Sequence, residues 1–306
     1  MRSSSFNFEH TLNMAFPNQL NTLSLIPRLK REPAEHKGNA GKVILIGGST
    51  GMAGALILAG NACIHLGAGW TILEMLDPAS AHADAKHPEL MIRLADQSAD
   101  NVLNTDKPDV IAIGPGLGKS ATAILWLRSA LTFSNTPLVL DADALNLISE
   151  SDELLHLLQK RNQAYPGLTV LTPHPGEAAK LLKTTSEQIQ SHREDAIEKL
   201  VGLTQSIIVL KGQNTLIASP DHPTFFCAEG NPGMGTGGMG DVLTGSIAAI
   251  AAQGIRHHLN LWEATRIAVQ LHASAADSLV SKGVGPIGLT PSENILEMRS
   301  LLNKLL

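Results

Sequence analysis

Five glycines gather around one acid in Asn231-Pro-Gly-Met-Gly-Thr-Gly-Gly-Met-Gly-Asp-Val-Leu-Thr-Gly245. Glycine has no Cβ, so Gly233, Gly235, Gly237, Gly238 and Gly240 let the chain turn its amide N–H groups toward one point and admit a ligand closely. The apolar run from Asp241 to Gln253 reads as a helix stopped by Gly254. Unpaired N–H groups and the helix dipole make such a start an anion site. A bound phosphate repels a carboxylate placed there, so Asp241 needs a role of its own. The chemistry offers it that of a base, taking the proton from a hydroxyl that attacks the phosphate. Taken alone, the stretch is equally a flexible loop with Asp241 capping the helix.

The elements around it are those of an alternating α/β chain. Lys42–Gly47 is a short apolar run that predicts a buried strand, followed by a helix over Ala55–Leu66 and a second strand over Trp70–Leu76. This is a βαβ unit, which implies parallel pairing and a right-handed crossover. Strands over Asp109–Ile113, Pro137–Leu140, Leu168–Leu171 and Ser206–Leu210 continue the pattern, with helices over Ala121–Leu131, up to Leu158, and from a Thr185/Gln188 capping box to about Leu203. Leu216–Ser219 and Thr224–Ala228 read as a hairpin turning at Pro220–Pro223. Helices over Val242–Ala252, Trp262–Lys282 and Ser292–Leu305 close the chain. The prediction is a three-layer α/β sandwich, mostly parallel, with an antiparallel edge. Six strand ends carry glycine or polar clusters: Gly47, Gly114, Asp141, Thr172, Lys211 and the loop after Ala228. Ligands of open parallel sheets bind beyond those carboxyl ends.

Composition narrows the classes. With 43% hydrophobic and 17% charged residues in 306, the chain can bury a sizeable core. A net charge of −5 without a basic block, and only 3% aromatic residues, argue against nucleic acid as a partner. Any phosphate is then gripped locally, by backbone amides and a few cations. Cys63 and Cys227 have no CxxC spacing and are read as reduced packing residues of a cytoplasmic protein. No apolar run is long enough to span a membrane. Residues 1–35 read as an extension, with a short helix near Leu20–Leu29, and 36–306 as a single domain.

Two motifs mislead. Gly114-Pro-Gly-Leu-Gly-Lys-Ser120 looks like the end of a Walker A loop, but Ile113 stands where the first glycine belongs and Pro115 has no amide to donate. Gly235-Thr-Gly-Gly-Met-Gly240 fits GxGxxG, yet it lies late in the chain and helices follow it, whereas a dinucleotide fingerprint opens the first βαβ unit.

Nine motifs in order carry a family resemblance: His36-Lys-Gly38, Val43-Ile-Leu-Ile-Gly-Gly-Ser49, Gly54-Ala55, Gly67-Ala-Gly69, Gly114–Gly118, Asp141-Ala-Asp-Ala-Leu-Asn146, Thr172-Pro-His-Pro-Gly-Glu177, Lys211-Gly212 and Gly235–Leu243. Together, over roughly residues 35–300, they resemble the ADP-dependent NAD(P)H-hydrate dehydratase family, the carbohydrate-kinase-like YjeF C-terminal domain with a ribokinase-like fold. The resemblance implies a hydro-lyase that repairs cofactors. The S form of hydrated NADH or NADPH is dehydrated at the expense of ADP, leaving AMP and phosphate; eukaryotic members use ATP. Hydroxide is a poor leaving group, and phosphorylating the ring hydroxyl gives one that departs as the ring double bond reforms.

Carried onto this sequence, the resemblance makes Asp241 the base and a substrate contact, with Ala55, Gly116 and His174 lining the hydrated-cofactor pocket. Lys211, Gly212, Gln213, Asn214, Thr215 and Gly240 would bind the AMP part of ADP. Asp141, Asp143, Asn146 and Glu177 are candidates to orient Mg²⁺ or water, although Asp141 and Asp143 are equally helix caps. The resemblance also implies a homotetramer, and a separate epimerase, since the extension is too short for the fused one of many bacterial relatives. The alternative reading is a ribokinase-like kinase for a vitamin alcohol such as hydroxyethylthiazole, which shares the glycine loop and base.

Overall fold

A computed structural model describes residues 18–306. In chain order the elements are β1 (Lys42–Gly47), α1 (Ala53–His65), β2 (Trp70–Met75), β3 (Met91–Leu94), α2 (Ala99–Asp106), β4 (Val110–Ile113), α3 (Ala121–Thr132), β5 (Leu138–Leu140), α4 (Ala142–Glu150), α5 (Asp152–Ala164), β6 (Thr169–Leu171), α6 (Pro175–Leu181), α7 (Ser186–Ser191), α8 (Arg193–Thr204), β7 (Ile207–Leu210), β8 (Leu216–Ser219), β9 (His222–Phe226), α9 (Met239–Gly254), α10 (Leu261–Ser281) and α11 (Pro291–Leu305). They build one sheet in the order β3-β2-β1-β4-β5-β6-β7-β8-β9. Every pair from β3 to β7 is parallel; β7–β8 and β8–β9 are antiparallel. The predicted sandwich and its antiparallel edge are both present.

The strands are apolar on both faces because both faces are covered. Val43 and Leu45 point into the cluster shared with α1, α9, α10 and α11, while Ile44 and Ile46 point into the opposite cluster with α3, α4, α5 and α8. Helix α9 lies deepest, buried along nearly its whole length and packed on α1, α10 and the central strands β1, β4 and β5. An apolar helix of that kind is stable only as a core element.

Several boundaries moved for identifiable reasons. The helical stretch to Leu158 is two helices, because Ser151 leaves the helix and accepts the Leu154 N–H as a new cap. The helix after Thr185 breaks at His192, and its capping box is half made. Thr185 accepts the Gln188 N–H, while the Gln188 side chain takes the Thr184 hydroxyl instead. The hairpin turns on Pro220 and Asp221 alone, with β9 starting at His222. Of the Leu20–Leu29 stretch only Ile26–Leu29 is helical, as one 3₁₀ turn, yet Leu20, Ile26 and Leu29 all enter the core. Gln19 pairs in parallel with Phe226, which covers the β9 edge.

Candidate active site

The strand ends converge as the alternation predicts. Asp141 follows β5 and precedes α4, but its carboxylate caps nothing. It turns inward, where it is almost fully buried. Its Oδ1 accepts the Lys211 ammonium and the Thr172 hydroxyl at 2.8 Å each, and its Oδ2 accepts the Thr244 hydroxyl at 2.8 Å. Three donors from three elements therefore satisfy one buried charge. Lys211 follows β7 and also lies 3.9 Å from Glu177 Oε2. Burial opposes the lysine charge, but the Asp141 and Glu177 carboxylates, with Asp241, outweigh it and hold the ammonium above its ordinary value.

His174 and Glu177 form a capping box at the start of α6. The His174 Nδ1 accepts the Gly176 and Glu177 N–H groups, so the ring proton sits on Nε2, 3.3 Å from Glu177 Oε1. Burial and the nearby Lys211 hold the ring below its usual value. The result is a neutral imidazole whose free function is donation. Glu177, buried and near Asp141, is pushed up to about 7 despite Lys211.

Helix α9 starts at Met239, two residues ahead of the apolar run that begins at Asp241. Gly238 caps it at φ 99°, a conformation that favours glycine, and Met239, Gly240 and Asp241 make up the first turn. The Gly240 and Asp241 amides are first-turn donors with no intrahelical acceptor. A Cβ on Gly240 would stand 3.3 Å from the Lys211 Nζ, so glycine keeps the cation close to the turn. Asp241 is pushed up to about 7, first by burial, then by the charges of Asp141, Asp143 and Glu177, with Lys211 opposing. That places it where a carboxyl gains and loses protons near neutrality.

These groups line one cavity of about 840 Å³, whose walls include His174, Glu177, Lys211–Thr215, Gly240 and Asp241. Ala55 and Gly116 are not on its wall. They lie side by side beyond β1 and β4, where a Cβ on Gly116 would come within 3.4 Å of the Ala55 Cβ. Asp143 links the two places: its Oδ2 accepts the Gly118 N–H at 2.9 Å and its charge acts on Asp241.

Four further groups carry no local sequence signal. Thr244 bonds to Asp141, and Arg193 donates to the Leu210 and Lys211 carbonyls at 2.9 and 3.2 Å. Asp277 holds the start of the glycine loop. His272 lines the cavity, buried and held down to about 4, with Nε2 unpartnered. All four look like ordinary helix residues until the chain is folded.

Among the described residues no three His, Cys, Asp or Glu side chains group as a metal cage. Asp143 and Asn146 are engaged with each other and with Gly118 and Lys180. Magnesium that travels on nucleotide phosphates needs only one or two carboxylates, and of the four candidates Glu177 is the one on the cavity wall with no cation hydrogen-bonded to it among the described residues, Lys211 lying 3.9 Å away.

The covered parallel sheet with its antiparallel edge and the cavity at its strand ends are those of a ribokinase-like protein. The NAD(P)H-hydrate dehydratase family profile matches residues 43–295, and the chain belongs to that family. It is 36% identical to the ADP-dependent (S)-NAD(P)H-hydrate dehydratase of Neisseria meningitidis, over 94% of each chain. It is 37% identical to the bifunctional NAD(P)H-hydrate repair enzyme Nnr of Coxiella burnetii, covering 91% of this chain and 53% of that one. The chain thus spans about half the length of the bifunctional relatives. The crystal structure of the ADP/ATP-dependent NAD(P)H-hydrate dehydratase of Bacillus subtilis, co-crystallised with ATP/Mg²⁺, superposes with a TM-score of 0.77 at 27% identity, over 95% of this chain and 99% of that one. Among the described residues no helix is long and apolar enough to cross a membrane.

Proposed function

We propose that the chain dehydrates the S form of hydrated NADH and NADPH with ADP as phosphoryl donor, releasing AMP and phosphate. The observation that carries this reading is Asp241. Its carboxyl, pushed up to about 7 by burial, sits in the first turn of α9 on the wall of the cavity that Lys211 also lines. Asp241 accepts the proton of the ring hydroxyl as that oxygen attacks the terminal phosphorus of ADP, and the bond to the bridging oxygen of AMP breaks. The Gly240 and Asp241 amides meet the charge that builds on the transferred group. The new phosphate ester then loses phosphate. The C–O bond electrons leave with it, the neighbouring C–H bond supplies the ring double bond, and its proton passes to solvent or to the departing phosphate.

Lys211 through Thr215 hold the AMP part, which their position on the cavity wall supports. His174 donates through Nε2 to the hydrated ring, and Ala55 with Gly116 give the rest of the cofactor a close approach at the neighbouring strand ends. Glu177 on the cavity wall would hold magnesium arriving on the nucleotide, and the ion would neutralise phosphate charge. Two buried, unpaired cysteines support a cytoplasmic setting. A homotetramer rests on family resemblance, and sedimentation tests it.

Purified protein with hydrated NADH, ADP and Mg²⁺ should restore reduced-nicotinamide absorbance and release AMP and phosphate in equal amounts. No recovery with either ADP or ATP overturns the reading. A stable phosphorylated alcohol as the product would instead make the chain a ribokinase-like small-molecule kinase, which uses the same loop and base.

A further inference from the structure

We propose that Asp277 is the positioning residue of the phosphoryl-binding loop, clamping the start of that loop onto α10. The inference deepens the functional reading above and rests on it for the role of the loop. Asp277 lies far along α10, and both its oxygens are used. Oδ2 accepts the Gly230 N–H at 2.8 Å, and Oδ1 accepts the Asn231 side-chain amide at 2.9 Å. Asn231 passes the constraint on, since its Oδ1 accepts the Gly233 N–H at 3.0 Å. The Thr236 hydroxyl in turn donates to the Gly233 carbonyl at 3.0 Å. The far side of the loop is fastened to the same helix by apolar contact: Met234 and Met239 pack with Ala276 and Leu279. Between the two anchors Gly235, Thr236 and Gly237 are exposed, and all three line the cavity. The loop is thus a short free span held at both ends, its geometry set by α10.

The donor and acceptor count makes the clamp specific. Gly230 N–H, Asn231 Nδ2 and Gly233 N–H are three donors, met by two carboxylate oxygens and one amide oxygen. Asp277→Asn replaces one acceptor by a donor, and flipping either amide only moves the mismatch to another bond. The reciprocal pair Asn231→Asp with Asp277→Asn restores the count. In that pair the loop carboxylate accepts from the Gly233 N–H and from the new amide on α10, whose oxygen accepts from Gly230.

The test is AMP affinity by calorimetry and amide exchange at Gly230 and Gly233 by NMR, in wild type, both single variants and the swap. Each single variant should weaken AMP roughly tenfold and speed exchange at the two glycines, since one unmatched pair at the part-buried Asn231–Asp277 contact costs up to about that factor. The swap should return both readouts to within about twofold of wild type. The pH midpoint of turnover should stay unchanged throughout, because Asp241 is not in the clamp. Asn231→Ala, which removes the side-chain links but leaves the Asp277–Gly230 bond, should fall between wild type and Asp277→Asn, and serves if the latter does not fold. Single variants with wild-type AMP affinity overturn the proposal, and so does a folded swap that stays as weak as they are. If wild-type protein binds no AMP, the functional reading fails; the clamp is then judged on exchange alone, and unrestored exchange in the swap overturns it.

Discussion

The Lys211 ammonium stands 2.8 Å from Asp141 Oδ1, across a strand end two positions along the sheet. Asp141 is almost fully buried, and the only other donors to its carboxylate among the described residues are the Thr172 and Thr244 hydroxyls. Lys211→Met strands that charge, and losing one partner of a buried pair costs about 3 kcal/mol or more. Urea unfolding of Lys211→Met should show that loss, and Lys211→Met with Asp141→Asn should recover most of it. An unaltered midpoint in the single variant would mean that the pair holds nothing together.

Asp241 and Glu177 are both pushed up to about 7, first by burial and then by neighbouring carboxylates. Because these groups interact, the observed midpoint belongs to the cluster. A base must be ionised, so turnover should rise with pH through about 7. Asp241→Asn should lower turnover by about 10²–10⁴ and leave AMP binding intact. A flat profile between about pH 6 and 8, or near-full activity in the variant, removes Asp241 from the role of base.

Stability should run the other way. A carboxyl raised in the folded state binds its proton more tightly there than in the unfolded chain, where the ordinary value is 3.8 for Asp. Between about 4 and 7 the folded protein therefore holds more protons, and its stability falls as pH rises through that window. Asp241→Asn removes the charge that must be buried above the window. The variant should melt higher than wild type at about pH 8, with the gap narrowing at about pH 5 and closing near about pH 4, as expected where function is kept at the expense of stability. Equal melting temperatures at both values would show that Asp241 is solvated.

How much of this was legible depended on whether the signal was local. Buried parallel strands are unbroken apolar runs, so β1, β4, β5 and β7 and the polar residues that end them could be read directly. β3 could not. Met91–Leu94 is a half-exposed edge strand, and its Arg93 makes sense only beside the buried Glu74 of β2 and Asp106 of α2, both of which it pairs. Asp241, Lys211 and His174 sat in motifs, and the fold brings all three to one cavity. Asp277 sat in no motif, because its partners Gly230 and Asn231 are more than forty residues away. Whether Asp141 was a cap or a core charge also depended on distant residues, Lys211 and Thr244.

Arg193, the first residue of α8, grips the last carbonyl of β7 and the one after it, just where the proposed nucleotide turn begins. It donates to Leu210 and Lys211, and a Cβ on Gly212 would lie 2.7 Å from its Nη1. A planar guanidinium reaches two carbonyls at once, which a lysine ammonium cannot do with the same geometry. Arg193→Lys should therefore raise the KM for ADP roughly tenfold while kcat changes little, as one charge-assisted bond is lost. A KM within twofold of wild type would separate this contact from nucleotide binding.

Two helical glycines should respond to alanine with opposite signs. Gly245, just over one turn after Asp241 in α9, packs so closely on α1 that a Cβ would fall 2.0 Å from the Ala59 carbonyl oxygen and 2.7 Å from its carbon. Both contacts are backbone, so no side chain can rotate away and the two helices must part. Gly245→Ala should cost about 3 kcal/mol or more. Because α9 carries Asp241 in its first turn, turnover should drop in the folded fraction as well. Gly202 lies in α8 with nothing within 4 Å of its missing Cβ and no positive φ. Gly202→Ala should stabilise by about 0.4–1 kcal/mol through the unfolded chain and leave turnover unchanged. Chemical denaturation of the two variants measures both effects, and a Gly245→Ala protein as stable as wild type would mean that α1 and α9 are not in backbone contact.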